Sequence, residues 1–254
     1  MQIDNRHFAS KPLLSIHIPK TGGTTLREIL LKRFTTNLYL DYGYDTNIKN
    51  PQSKIEAIHT HNPYEVYENI LQNPKVLTIL REPLERAISH YYYWFNIPLS
   101  QDPEPHGEIY IKHFHDNRSD LETFLLSGDD WMKNIYTEHF LSPLQKPEDF
   151  WFVGFLETFN EDIADLQRLL GMKPKTFPVL NKGKTPSESL PDQIKLDFYK
   201  SNQKDKNFYD MMLNERLKRK NTIGAWTTTK SNGNLQYKVK EKLKTTKKKI
   251  KEFL

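Results

Sequence analysis

At 254 residues with 14 Phe, 13 Tyr and 4 Trp, the chain carries too much apolar and aromatic material for a disordered polypeptide and enough for one compact domain with appendages. Zero Cys excludes disulfides, thiolate metal sites and cysteine nucleophiles; no window approaches the ~18–20 uninterrupted apolar residues of a membrane span, and no apolar signal-peptide core opens the chain, so a soluble, cytoplasmic protein is expected. The net charge of +5 sits in the tail: residues 238–254 hold eight Lys against two Glu, which leaves the body at −1, so any anion preference there comes from local sites.

"LLSIHI" (13–18) is a short apolar run with β-branched residues, followed by Pro and a Gly pair. Leu26, Ile29, Leu30 and Phe34 then fall on one helical face, which reads as strand, turn, helix. A second such unit begins at "KVLTILREP", where Val76, Leu77, Ile79 and Leu80 predict a buried strand and Pro83 opens the helix "PLERAISHYYYWF". Residues 97–150, rich in His, Asp, Pro and aromatics, predict a helical and irregular insertion that caps the site. "FWFVGFLETF" (150–159) predicts a third strand; its helix takes Asn160 as N-cap, residues 163, 166, 169 and 170 as apolar stripe and Gly171 as stop. Residues 172–192, with four Pro, predict a long functional loop.

Strands alternating with helices imply an α/β fold with a parallel sheet, and ligands in such sheets gather at the carboxyl ends of the strands. The expected organisation is one domain over 1–227, with a linker and basic tail over 228–254. Leu235, Val239, Leu243, Ile250 and Phe253 trace a partial apolar stripe in that tail, suited to an anionic membrane surface or a polyanion, or to nothing beyond a solvated, frayed helix. It lacks the aromatic interleaving of single-strand nucleic-acid binders, so no nucleic-acid partner is expected.

Three motifs carry chemistry. "PKTGGTTL" places Gly22 and Gly23 in a strand-to-helix turn with Thr24 and Thr25 at the helix start, so backbone N–H groups and the positive helix end face one point, and Lys20 adds a charge. That is an anion cradle, against the alternative of an ordinary turn that needs glycine. It is not a Walker A loop, because the lysine precedes the glycines and no GK[ST] occurs in the chain; a phosphate group approached without metal is favoured over a triphosphate with Mg²⁺. In "LREPLERAISHYYYW", Arg81 at a strand end and Ser89, about two helical turns on, can hold a second phosphate. Arg86 is either a further phosphate ligand or, with Glu82 and Glu85, part of a solvated surface pair. In "IHTHNPY", His59 and His61 share one strand face; spacing alone leaves metal ligand, general base and structural histidine open.

"IHIPKTGGTTL" resembles the 5′-phosphosulfate-binding motif of the carbohydrate sulfotransferases, "TILREPLERAISHYYYW" resembles their 3′-phosphate-binding motif, and "HTHNPY" is similar to the His-x-His segment of the uronosyl (heparan and dermatan sulfate) 2-O-sulfotransferases. "VGFLETFNEDIADLQRLLG" and the Asn-Lys-Gly-Lys loop follow in the order of that family, so the resemblance spans about 13–215. It implies a P-loop-like sulfotransferase fold and the donor 3′-phosphoadenosine 5′-phosphosulfate (PAPS), which leaves as PAP, with no metal required; the missing anchor and cysteines depart from the family and suggest a bacterial-type soluble relative. The resemblance further implies that Lys20, Thr21, Gly22, Gly23, Thr24 and Thr25 hold the 5′-phosphosulfate, that Arg81 and Ser89 hold the 3′-phosphate, and that Lys182, Gly183 and Lys184 close over the nucleotide. His61 is the implied general base, with His59 as support or competitor, and the implied acceptor is a hydroxyl of a saccharide. A kinase with a degenerate phosphate loop and a non-catalytic anion- or membrane-binding module are the competing readings. His106, His113, His115, Arg118, Trp131 and Lys133 are acceptor contacts on composition alone, and the oligomeric state is not legible.

Overall fold

A computed structural model describes residues 8–42, 54–96, 119–127, 133–176 and 190–222. The chain divides into two units, Met1–Arg216 and Leu217–Leu254; the sheet and the site residues belong to the first, and of the second only the end of one helix is described.

Five strands, β1 (Phe8–Ile16), β2 (Leu38–Asp41), β3 (Ile55–Thr60), β4 (Lys75–Leu80) and β5 (Phe152–Phe155), form one sheet in the order β2-β3-β1-β4-β5, and every pair is parallel. The α/β fold class is therefore as the sequence implies. Strand β1 is central and begins earlier than "LLSIHI": its pairing with β3 shifts register between Phe8 and Leu13, the stretch that holds Pro12, which has no N–H for the ladder. Strand β2 was not legible; four residues, LYLD, are too few to show a period.

The α1 helix (Gly23–Phe34) and α5 (Phe159–Leu169) cover one face of the sheet, burying Leu13, Ala57, Leu77 and Ile79 against Leu26, Ile29, Leu30, Ile163 and Leu166. A short α2 (Glu65–Glu68) precedes β4, and α3 (Pro83–Phe95) follows it. A second core joins α3, α4 (Leu121–Leu126) and α6 (Asp192–Ser201) through Leu84, Ile88, Trp94, Phe124 and Phe198. A π-helical segment, Ile135–Phe140, and α7 (Gln203–Thr222) complete the elements. Within 97–150, the described part is thus helical and irregular.

Two local expectations are corrected. The N-cap of α5 is Thr158, not Asn160, because the chain first closes a 3₁₀ turn over Leu156–Thr158; the Asp162 carboxylate then accepts from Phe155 N (2.9 Å) and Thr158 Oγ1 (2.7 Å). Leu169 is 51% exposed instead of sharing the stripe of Ile163, Leu166 and Leu170. Gly171 is the stop, at φ +72 with Met172 N bonded back to Gln167 O, a Schellman closure. Among the described residues, no helix is long and apolar enough to cross a membrane.

Candidate active site

At the carboxyl end of β1 the chain turns through Pro19, Lys20 and Thr21 into α1. Lys20 (φ +72) and Gly22 (φ +96) both take left-handed backbone, and the Thr21 hydroxyl braces the turn by donating to Ile18 O at 2.8 Å. Gly22 offers no side-chain cap, no acidic residue lies in the first turn of α1, and the first N–H groups of a helix have no intrahelical acceptor, so this end is left for an external anion. Gly23 admits no side chain: a Cβ there would lie 1.7 Å from Nε2 of His17. Thr25 is buried and Thr24 exposed.

One strand over, Arg81 leaves the end of β4 and its Nη1 donates to Lys20 O at 3.5 Å. Burial, with the charge of Arg81 second, holds the Lys20 ammonium below its ordinary range. That ammonium stands 4.2 Å over the Tyr93 ring, and Arg81 lies 3.7 Å from Glu85. Because Glu85, Ser89 and Tyr93 recur every four residues on α3, the half-buried Ser89 sits on the stripe whose ends touch Arg81 and Lys20. The structure therefore gathers Lys20, Gly22, Gly23, Arg81 and Ser89 around one strand-end crevice.

The backbone of Arg81 is held from behind. Tyr136 Oη donates to Arg81 O at 2.6 Å, and Asp205 accepts from Tyr136 N, Thr137 N and Thr137 Oγ1 at 2.9–3.0 Å. Arg86, 1% exposed, is neither a surface pair nor open to a phosphate: its Nη1 donates to His90 Nδ1 at 3.2 Å. A guanidinium only donates, so His90 carries its proton on Nε2; burial and Arg86 keep that ring neutral, well below the usual histidine range. Glu82 caps α3 by accepting from Glu85 N at 3.0 Å and also accepts from Tyr199 Oη at 3.0 Å; burial raises its carboxyl to about 7.

Toward β3 the face beneath α1 turns from apolar to polar. Ser15 pairs with His59 in register, its Oγ 2.8 Å from His59 Nδ1, and the next positions on that face are His17 and His61. The imidazoles cluster: His17 and His59 stack with centroids 5.2 Å apart at 10°, and His17 and His61 meet tilted, 4.2 Å apart at 35°. Burial lowers His59 to about 3, helped by His61 and Arg27 and opposed by the Gly23 backbone. Burial also lowers His61, opposed by the His17 backbone, and lowers His17 well below its ordinary value, helped by His61 and His59. All three are neutral bases near pH 7. Tyr42 packs 4.8 Å from His61; Asp41 holds the base of this corner, accepting from Tyr67 Oη at 2.5 Å while its carbonyl accepts from His61 N at 3.1 Å.

His17 was not singled out in the sequence although it lies inside the quoted motif; only the pairing of Ser15 with His59 brings it beside His61. Arg27 and Tyr42 were likewise missed. Lys182, Gly183 and Lys184, with His106, His113, His115, Arg118 and Trp131, lie outside the described residues; Lys133 is described and partly buried. Among the described residues, no group of three or more His, Asp or Glu is arranged to hold a metal ion.

A family model described as "Sulfotransferase family" matches residues 8–220. Sulfotransferase 2A1 of Rattus norvegicus is 27% identical over 195 residues, covering 73% of this chain and 61% of that protein, so the chain spans less than two thirds of this curated relative. The crystal structure of mouse sulfotransferase SULT7A1 complexed with PAP aligns at 16% identity and a TM-score of 0.36, over 78% of this chain and 66% of that one.

Proposed function

We propose that this chain, which belongs to the sulfotransferase family, moves the sulfuryl group of PAPS to the hydroxyl of an acceptor. The observation that carries the reading is the meeting of two cations, Lys20 and Arg81, at an uncapped helix start whose first turn holds no acidic residue, one strand away from neutral His61. The residues present fit a two-phosphate donor: the start of α1 carries no side-chain cap and no acid in its first turn, and Lys20 with the α1 N–H groups takes the 5′-phosphosulfate. Arg81 and Ser89 take the 3′-phosphate, and Lys182, Gly183 and Lys184 are assigned to nucleotide closure from their motif.

In the transfer, the bond from sulfur to the 5′-phosphate oxygen breaks as a bond to the acceptor oxygen forms. His61 takes the hydroxyl proton, which its neutral imidazole can accept, and Lys20 balances the charge that grows on the departing phosphate. Ser15 fixes the His59 ring, so His59 supports the arrangement from behind while His61, nearer Tyr42, acts as the base. The His-x-His segment makes a saccharide hydroxyl the first acceptor to try. The basic tail is assigned to an anionic acceptor or membrane surface on charge alone.

Calorimetry with PAP tests the reading: wild type binds, and Lys20→Ala and Arg81→Ala each weaken binding about tenfold or more, the loss expected for a charge-assisted hydrogen bond. A wild-type protein that does not bind PAP overturns it.

A further inference from the structure

Resting on that reading, we infer that His17 is a catalytic residue: its Nε2–H contacts the sulfuryl group at the head of α1 and stabilises the charge on its oxygens during transfer. The first support is position. His17 follows β1 on the face that carries Ser15, between the start of α1 and His61, so it stands where the anion cradle and the general base adjoin. A Cβ on Gly23 would meet Nε2, Cδ2 and Cε1 of His17 at 1.7, 1.9 and 2.1 Å, which puts the far edge of the ring over the first residue of the helix.

The second support is the proton. Nδ1 of His17 is shut off from solvent and has no hydrogen-bond partner, although the residue as a whole keeps part of its surface open. A proton on Nδ1 would be a buried N–H with no acceptor; on Nε2 it lies at the edge that borders the cradle. Burial, and after it the neighbouring imidazoles, Arg27 and Lys20, keep the ring neutral, so it serves as a hydrogen-bond donor of fixed direction. His17 neither gains nor loses a proton: the acceptor proton goes to His61, and sulfur exchanges one oxygen for another.

A ring that merely spaces Gly23 from His61 would be replaceable by any ring of the same shape. His17→Phe keeps the shape and deletes the donor, whereas His17→Gln keeps an N–H near Nε2. We expect kcat to fall about 100- to 1,000-fold in His17→Phe and to recover to within about tenfold of wild type in His17→Gln, with the affinity for PAP unchanged in both. A second readout uses the wild-type protein without turnover: in histidine-labelled ¹H–¹⁵N spectra, the His17 Nε2–H resonance shifts with PAPS and stays in place with PAP, which lacks the sulfuryl group. A His17→Phe variant with wild-type kcat, a proton found on Nδ1, or an Nε2–H signal blind to PAPS overturns the assignment. Failure of wild type to bind PAP instead overturns the sulfotransfer reading beneath it.

Discussion

His17 and Gly23 share one volume: the ring of the first occupies the place where a side chain of the second would begin, at 1.7 Å from the would-be Cβ. Gly23→Ala therefore displaces His17 from its stack on His59 and its contact with His61. We expect a loss of about 1–3 kcal/mol from overpacking. Thermal unfolding of Gly23→Ala, His17→Ala and the double variant checks this, because the double variant regains stability only if the two residues compete for space. Strict additivity would refute the relationship.

Arg81 is divided between the crevice and Glu85, 3.7 Å away. Glu85→Gln removes a negative charge that competes with a bound phosphate, so PAP binds about three- to fivefold tighter at low salt, an effect that fades as salt is added. Ser89→Ala, on the same stripe, weakens PAP by about 1 kcal/mol, the net value of a lost hydrogen bond. Titration calorimetry of both variants decides the point, and opposite signs are required.

Behind Arg81, Asp205 satisfies two backbone N–H groups and a hydroxyl of the π-helical segment while burial raises its carboxyl to about 6. Asp205→Ala leaves those donors unpaired in the interior and removes a negative charge that faces buried Arg86. A destabilisation of about 3–5 kcal/mol is expected, measured by urea unfolding. Tyr136→Phe deletes only the bond to Arg81 O, so it costs about 1 kcal/mol of stability. It also loosens PAP binding, because Arg81 loses its backbone anchor.

The pH profile follows from the same burial. With His61 lowered by burial from its ordinary 6.5, the neutral base predominates at pH 7, and the acid fall of kcat/KM has its midpoint below pH 6.5. Stability has two opposing slopes. His59, at about 3 when folded and about 6.5 when unfolded, contributes stability that is present above pH 6.5 and lost as pH falls below it. Glu82, raised to about 7, contributes stability that is present below its unfolded value near 4.5 and lost as pH rises toward 7. Denaturation of Glu82→Gln across pH 4.5–8 should show its stability gaining on wild type as pH rises through that window; a constant difference would show that Glu82 does not titrate there.

What the sequence reveals follows from how local each signal is. "PKTGGTT" is legible because glycines after a strand and before a helical stripe constrain the backbone within a few residues; Lys20 and Gly22 lie in the turn, while Gly23, expected there too, is already the first residue of α1. His17 is not legible, because its significance lies in a partner strand more than forty residues away, where Ser15 meets His59. Arg86 looks like a surface residue beside Glu82 and Glu85; His90 is its neighbour one turn on along α3, and only the tertiary docking of that helix takes the pair out of solvent. The cap at Thr158 escapes for a similar reason: Asn160 has the better intrinsic propensity, but Asp162 and a 3₁₀ turn move the helix start two residues earlier.

The order β2-β3-β1-β4-β5 also divides the labour of the crevice between separate strands. Arg81 comes from β4, His59 and His61 from the end of β3, and the corner of Asp41 and Tyr42 from β2. Only β1 borders both sides, with Lys20 turned to one and His17 to the other. On the proposed function, the donor side and the acceptor side thus meet along a single strand. Redesign of acceptor preference belongs beyond the end of β2, at Tyr42, because His59 and His61 on the β3 side touch the His17 ring.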